Sequence, residues 1–275
     1  MLQENPITGF FFLIGIVIGS VNMGVGVVVT IAIVTALGTS LFLGYDKEKI
    51  NQGFFGFSPA LIGVALTLFL KLSFVTYVLI ILCSIFGTML QHFFYKKKIA
   101  VFTLPFVLVI WAIYYFSKEF YPNLLAEPTM LYADSYDIYL FPIKGFGQVI
   151  FQDKLISGII FFVAVLINSR YSAICGLLGG IVAGFIAYIL QIDTKNILLG
   201  LFSYNTILCT IAISYKTKSD VLWMLFATIL SVFITIGMNK IHFMTLTFPF
   251  VVATMLTLYF KNIIHRIKEG NVFEK

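Results

Sequence analysis

The sequence predicts an all-α integral membrane protein, an inverted repeat of two five-helix halves around a central pore. Each half carries a half-membrane re-entrant or broken helix. Three observations predict this. The 275 residues are 60% hydrophobic and only 11% charged, with mean hydropathy +1.01, whereas a soluble domain carries roughly 25% charged residues. The apolar residues fall into long runs, one series before and one after a more polar link. Short motifs of the first series recur in the same order in the second.

The first series is Ile7–Val21, Met23–Leu43, Phe54–Leu70, Leu72–Phe94 and Val101–Tyr121. The link Pro122–Pro142 carries Glu127, Asp134 and Asp137. The second series is Val149–Asn168, Tyr171–Leu190, Ile197–Tyr215, Val221–Met238 and His242–Phe260. A membrane span needs about 20 residues of helix. Unpaired backbone amides in hydrocarbon cost several kcal/mol each, so the runs are helices. Barrel strands alternate polar and apolar residues, which these runs do not.

Gly53-Phe54-Phe55-Gly56-Phe57-Ser58-Pro59-Ala60-Leu61 aligns with Gly200-Leu201-Phe202-Ser203-Tyr204-Asn205-Thr206-Ile207-Leu208. Thr103-Leu104-Pro105-Phe106 aligns with Thr247-Phe248-Pro249-Phe250, Asp46 with Asp193, and Ile7-Thr8-Gly9 with Ile156-Ser157-Gly158. The spacing drifts only between 144 and 149 residues. The expected organisation is a first repeat over 1–121, an extracellular link over 122–142, a second repeat over 143–261 and a cytoplasmic tail over 262–275. Five spans per copy invert the second copy in the membrane. With the N-terminus inside, twelve Lys and Arg face inward. Six face outward: Lys71, Lys118, Lys144, Lys154, Lys195 and Lys240. That is the direction of the positive-inside rule, so both termini are expected in the cytoplasm and the protein in the plasma or inner membrane.

Asp46 to Pro59 begins with a capping residue and charges, then meets glycine, Ser58 and Pro59 after about eleven residues, a rise of about 16 Å. This predicts a half-helix ending near the midplane. Its copy, Asp193 to Tyr204, ends there from the other face. Their free carbonyls carry partial negative charge and are tolerable at that depth only around a cavity. Carbonyls suit a hydrogen-bond donor rather than an anion. The runs hold no carboxylate except Asp153 and Glu119, each near one end of its run, which argues against a proton relay or ion-coupled pump. The remaining polar candidates are Gln148, Thr103, Thr247, Asn205 and Ser58, with Phe57, Tyr204 and Phe151 beside them. Neutral oxygens and flat rings suggest a slot for a small, planar, uncharged amide.

Other classes are set aside. Cys83, Cys175 and Cys209 are isolated, so no metal site, cofactor or disulfide framework is expected. The chain shows no HExxH, no Asp-rich metal motif and no Ser/His pair at depth, so an intramembrane enzyme is not expected. Lys96-Lys97-Lys98 is the only basic block, too short for a nucleic-acid surface. The first residues lack a basic region, so no cleavable leader is expected. His92, His242 and His265 read as interfacial, and Asp46 and Asp193 as helix caps. The small residues of Gly176–Gly184 permit close helix packing.

The paired motifs Gly53–Leu61 and Gly200–Leu208, the Thr-x-Pro-Phe pair, and Gly147-Gln148-Val149-Ile150-Phe151 resemble the urea transporter family of bacteria and vertebrates. The resemblance runs from about Asn5 to Phe260. It implies an inverted-repeat channel, usually a homotrimer with one pore per protomer, passing urea passively through a filter of oxygen ladders and sandwiching rings. On that resemblance Gln148 supplies a side-chain oxygen at one mouth and Phe151 a ring of the slot. Phe57 and Tyr204 supply carbonyls and ring faces, Leu61 and Leu208 carbonyls one turn later, and Thr103 and Thr247 hydroxyls near the middle. The chain departs from the family in three places. The first-copy partner of Gln148 falls before Met1, with Gln3 and Glu4 nearby. Gly56-Phe57-Ser58-Pro59 stands where the family has Gly-Phe-Asn, and Ser203-Tyr204-Asn205 has Tyr for Phe. Urea is therefore the expected solute, with short amides or ammonia as the alternative. A closed structural subunit is the remaining rival.

Overall fold

The computed structural model describes residues 5–20, 24–127, 133, 136–214 and 218–270. Gln3, Glu4 and Asp134 lie outside the described residues. The described chain is helical: α1 (Pro6–Gly19), α2 (Gly24–Phe42), α3 (Lys47–Asn51), α4 (Phe57–Phe69), α5 (Phe74–Lys96), α6 (Leu104–Phe120), α7 (Asp137–Gln148), α8 (Leu155–Asn168), α9 (Arg170–Ile189), α10 (Thr194–Leu198), α11 (Tyr204–Ile213), α12 (Lys218–Lys240) and α13 (Phe248–Gly270). Five stretches have the length and hydropathy to cross a bilayer: Gly24–Phe42, Phe74–Lys96, Arg170–Ile189, Asp220–Lys240 and Phe248–Ile267.

The surface is apolar and the interior holds hydroxyls, the distribution a membrane solvent imposes. Phe42, Phe74 and Phe185 are exposed, while Thr8, Ser40, Thr76, Thr88, Thr206 and Thr257 are fully buried. Several of these hydroxyls bond the preceding turn of their own helix, as Thr88 does to Ser84 O at 2.7 Å and Thr257 to Ala253 O at 2.7 Å.

The two aligned stretches of sequence share backbone features. Left-handed residues recur at matching places: Gly44 with Gln191 and Gly53 with Gly200, each 147 residues apart, and Lys98 with His242 and Phe102 with Leu246, each 144 apart. Asp46 caps α3 through a bond from Glu48 N at 2.9 Å, and Asp193 caps α10 from Lys195 N at 3.0 Å, as the sequence predicts. Between the halves, α1 packs on α8 with reciprocal bonds. Thr8 Oγ1 donates to Ala164 O at 3.0 Å and Ser157 Oγ to Gly15 O at 2.8 Å. Each hydroxyl lies near the start of its helix and each acceptor near the end of the other, so the two helices run antiparallel.

Two expectations are corrected. The eleven-residue half-helices are five-residue helices, α3 and α10, with a rise of about 7.5 Å each. Gly53 at φ +72° and Gly200 at φ +76° end them early, in the left-handed conformation that glycine adopts without penalty. Ser58 and Pro59 do not stop a helix; they open α4, because proline is tolerated in a first turn. The breaks therefore present amide groups of α4 and α11 as well as carbonyls. The second correction is α7. It begins at Asp137, inside the stretch expected to be link, and stops at Gln148. At twelve residues it spans about 18 Å, about half the thickness of a bilayer core.

Candidate functional site

The site is built where the two Thr-x-Pro-Phe segments meet. Phe102 and Leu246 take φ +50° and φ +45°, which turns the chain just before each threonine. Pro105 and Pro249 then sit in the first turns of α6 and α13. The result brings Thr103 Oγ1 within 2.7 Å of Thr247 Oγ1, the two residues being 2% and 1% exposed. The two Thr-x-Pro-Phe segments thus meet through their threonines, 144 residues apart in the chain. Each hydroxyl can donate and accept. Their mutual bond gives each hydroxyl a partner without water, and a solute carrying N–H and C=O groups can bond to both in its place.

The second copy braces its threonine. Tyr204 OH donates to Leu246 O at 2.6 Å, and Asn205 Nδ2 donates to the same carbonyl at 3.2 Å. Phe250 N donates to Asn205 Oδ1 at 3.3 Å. Both ends of the Asn205 amide are thus spent tying α11 to the start of α13. In the first copy Phe57 and Ser58 occupy the matching positions; Ser58 is buried and Phe57 half-buried. Leu61 and Leu208 are closed into the core at 0% and 1% exposure.

Gln148 stands at the C-terminus of α7. Its Nε2 donates to Leu199 O at 3.2 Å, which orients Oε1 as an acceptor. The turn beyond is closed by Ile150 N and Gln152 N, both donating to Gly147 O at 3.0 Å. It puts Phe151 at φ +56°. That conformation aims its ring edge-on at Phe69 and Phe106, each at a centroid distance of 6.1 Å. Phe106 lies one turn past Thr103, so the ring of Phe151 reaches the first copy beside the threonine bridge.

Sequence reasoning missed what seats α7. Lys144, expected on the outer surface, is buried and paired with Asp137 at 2.5 Å; their side chains are 9% and 6% exposed. Two residues seven apart share a helix face, and that spacing was the available signal. Gly176, Gly180 and Gly184 of α9 leave room for Phe146, Pro142 and Phe141 of α7. Breaking a buried pair strands a charge and costs about 3 kcal/mol or more. Asp137→Asn should therefore lower the unfolding temperature in detergent and reduce flux through the protein. Replacing both partners, as Asp137→Leu with Lys144→Met, should recover stability. Wild-type melting of Asp137→Asn would show the pair to be idle.

A cavity of about 560 Å³ opens at one side of the second copy. Tyr204, Thr245 and Met244 are among its lining residues, the last two within three residues of Thr247. Tyr115 OH accepts from Met244 N at 3.0 Å, and Trp111 Nε1 donates to Met244 O at 2.9 Å. These bonds fix the segment that carries the threonine. Of the histidines, His242 is exposed on the cavity rim. His92, read as interfacial, is half-buried, with its ring stacked on Tyr45 at 3.5 Å. Burial pushes the Tyr45 hydroxyl pKa up. Among the described residues no His, Cys, Asp and Glu cluster has the makings of a metal site.

Comparison with known proteins gives a consistent result. The family model described as Urea transporter matches residues 1–262. A sheep (Ovis aries) protein named Urea transporter 1 is 27% identical over 287 residues, covering 93% of this chain and 72% of the relative. A rat (Rattus norvegicus) protein of the same name is 25% identical over 282 residues, again covering 93% and 72%.

Proposed function

This chain belongs to the urea transporter family, and we propose that the urea it carries across the membrane passes between its two halves at the Thr103–Thr247 bridge. The chain is a multi-pass membrane protein and a transporter rather than an enzyme. Short amides and ammonia are not the favoured solutes.

The observation that carries the route is the buried hydroxyl pair where the two Thr-x-Pro-Phe segments meet. In this reading urea's N–H groups and carbonyl replace the Thr–Thr bond as it passes, so desolvation is offset by protein oxygens, as in an ion-selective filter. Gln148 Oε1 offers an acceptor at the end of α7, and Phe151, Phe57 and Tyr204 supply flat faces along the path. Leu61 and Leu208 contribute backbone carbonyls, Ser58 a hydroxyl beside them. Asn205 acts on Thr247 by holding Leu246 rather than by meeting urea. No carboxylate is among the residues named for the path, so nothing couples it to an ion and flow follows the gradient.

The inverted-repeat reading, with halves over 1–121 and 143–261, a link over 122–142 and a tail over 262–275, is supported by the antiparallel α1–α8 pair, its reciprocal hydroxyl bonds and the recurring left-handed residues. Burial of Lys144 removes one of the six outward lysines and strengthens the inward bias. Both termini are then cytoplasmic and the host bilayer is the cell's plasma or inner membrane. The homotrimer that the resemblance implies completes the reading. Native mass spectrometry of the detergent-solubilised protein tests it, a monomer counting against it.

Stopped-flow shrinkage of proteoliposomes tests the function. Wild type should pass urea far faster than empty liposomes. Gln148→Leu should reduce the rate about tenfold, the worth of one lost acceptor of roughly 1.4 kcal/mol. A Gln148→Leu rate equal to wild type would take Gln148 out of the path.

A further inference from the structure

The cavity at the second-copy mouth poses a problem of selectivity that the urea route alone does not solve. Guanidinium has urea's flat shape and an even richer set of N–H donors, but carries a full positive charge. Aromatic faces attract such a cation, and this cavity has aromatic walls. Tyr114, Tyr115, Phe202, Tyr204 and Phe243 all line it. Tyr115 and Phe243 stack at 5.0 Å with an interplanar angle of 25°, and Tyr114 meets Tyr115 edge-on at 5.3 Å. Left to its rings and hydroxyls, the chamber would hold guanidinium or an alkylammonium better than urea and plug the path.

The rest of the lining is biased the other way. Lys118 is its one fixed charge, and among the described residues no carboxylate lines the cavity. Lys195 and Lys240 adjoin two further lining residues, Asn196 and Asn239. Two acids lie near as well, Glu119 exposed beside Lys118 and Asp193 accepting the amide of Lys195, so the lysines lead by three to two and the only charge in the lining itself is positive. Urea's dipole is indifferent to the sign of a mouth potential, whereas a cation is depleted by it.

We infer that this chamber is a charge-discriminating vestibule, in which Lys118 excludes urea-shaped cations from an aromatic site that would otherwise trap them. The inference rests on the route proposed above, of which the vestibule is one mouth. Lys118 is a specificity residue for the solute class, not a ligand of urea.

The test uses guanidinium chloride as the probe, with wild type, Lys118→Gln and Lys118→Glu. Lys118 is exposed, so folding is not at risk. In proteoliposomes, the concentration that halves each variant's own urea flux should fall in Lys118→Gln and fall further in Lys118→Glu. About three- to tenfold is expected for the reversed charge at a partly screened site. The spread should shrink at about 0.5 M NaCl. Equal half-blocking concentrations across the three proteins, or no block in any of them, would overturn the inference. A second readout does not depend on transport. Trp111 packs against Phe243 at 4.9 Å, so its fluorescence in a Trp223→Phe background reports guanidinium binding in detergent. The same order of half-saturation is expected, and its absence counts against the vestibule even if flux fails. Wild-type vesicles no faster than empty liposomes would instead undo the urea route while this titration still judged the site.

Discussion

Thr247→Val should assemble in the membrane, melt a few degrees below wild type and lose at least nine-tenths of its urea flux. Valine matches the shape of threonine but replaces the hydroxyl with a methyl group. Thr103 Oγ1, 2.7 Å away in the parent and 2% exposed, is left without that partner. A stranded buried hydroxyl costs about 1–3 kcal/mol. The loss at the bridge is the same kind of quantity, since urea no longer meets a second hydroxyl to exchange for its own hydration. At 1.4 kcal/mol for each factor of ten, one such bond accounts for the predicted fall. The double variant Thr103→Val with Thr247→Val separates stability from passage. Replacing both partners with apolar groups of the same shape is nearly neutral for folding, so its melting should return toward wild type. Its flux should not return. Recovery of flux along with melting would place the solute path elsewhere.

The two threonines were legible in the sequence because Thr-x-Pro-Phe occurs twice, but nothing in the sequence said that their hydroxyls touch. The caps at Asp46 and Asp193 were legible for the same reason, each followed by charges and then an apolar run. The lengths of α3 and α10 were not. Read from sequence, the Pro59 segment stops a helix. In the fold Gly53 has already ended it by turning left-handed, and proline starts the next one. The same residue serves either end of a helix, and only tertiary packing decides which. Helix α7 was hidden because Pro142, Lys144, Gly145 and Gly147 break its hydropathy. Those residues are there for its neighbours. Lys144 pairs with Asp137, and Gly145 lets the helix approach Ser203 and the turn at Gly200. A short helix whose second half, Lys144 to Gln148, is buried in protein has no need there of an apolar face toward lipid, so hydropathy is blind to it. The brace from Tyr204 to Leu246 was missed because it depends on the left-handed turn at Leu246, which nothing in a single sequence announces.

The contrast between Gly200→Ala and Gly53→Ala measures what α7 contributes. The two glycines occupy matching positions of the aligned motifs and have nearly identical backbones: φ +76° and φ +72°, and each amide donates to the carbonyl three residues back at 2.9 Å. An alanine at either position carries the left-handed cost of about 1–2 kcal/mol. At Gly53 that is the whole cost, because an added Cβ meets nothing within 4 Å. At Gly200 the same atom would lie 2.5 Å from Gly145 N and 2.9 Å from Gly145 Cα. Backbone in the middle of a packed helix has no rotamer to change, so α7 itself must shift, at a further cost of about 1–3 kcal/mol. The shift also moves Gln148, whose Nε2 bonds Leu199 one residue before the glycine. Gly53→Ala should therefore keep most of its flux and melt slightly early. Gly200→Ala should melt much earlier and pass little urea even below its melting temperature. Thermal unfolding in detergent and stopped-flow rates at a temperature where both variants are folded give the comparison. Equal losses at the two glycines would mean that α7 is not held by this contact, and that the position of Gln148 is set by something other than the turn it touches.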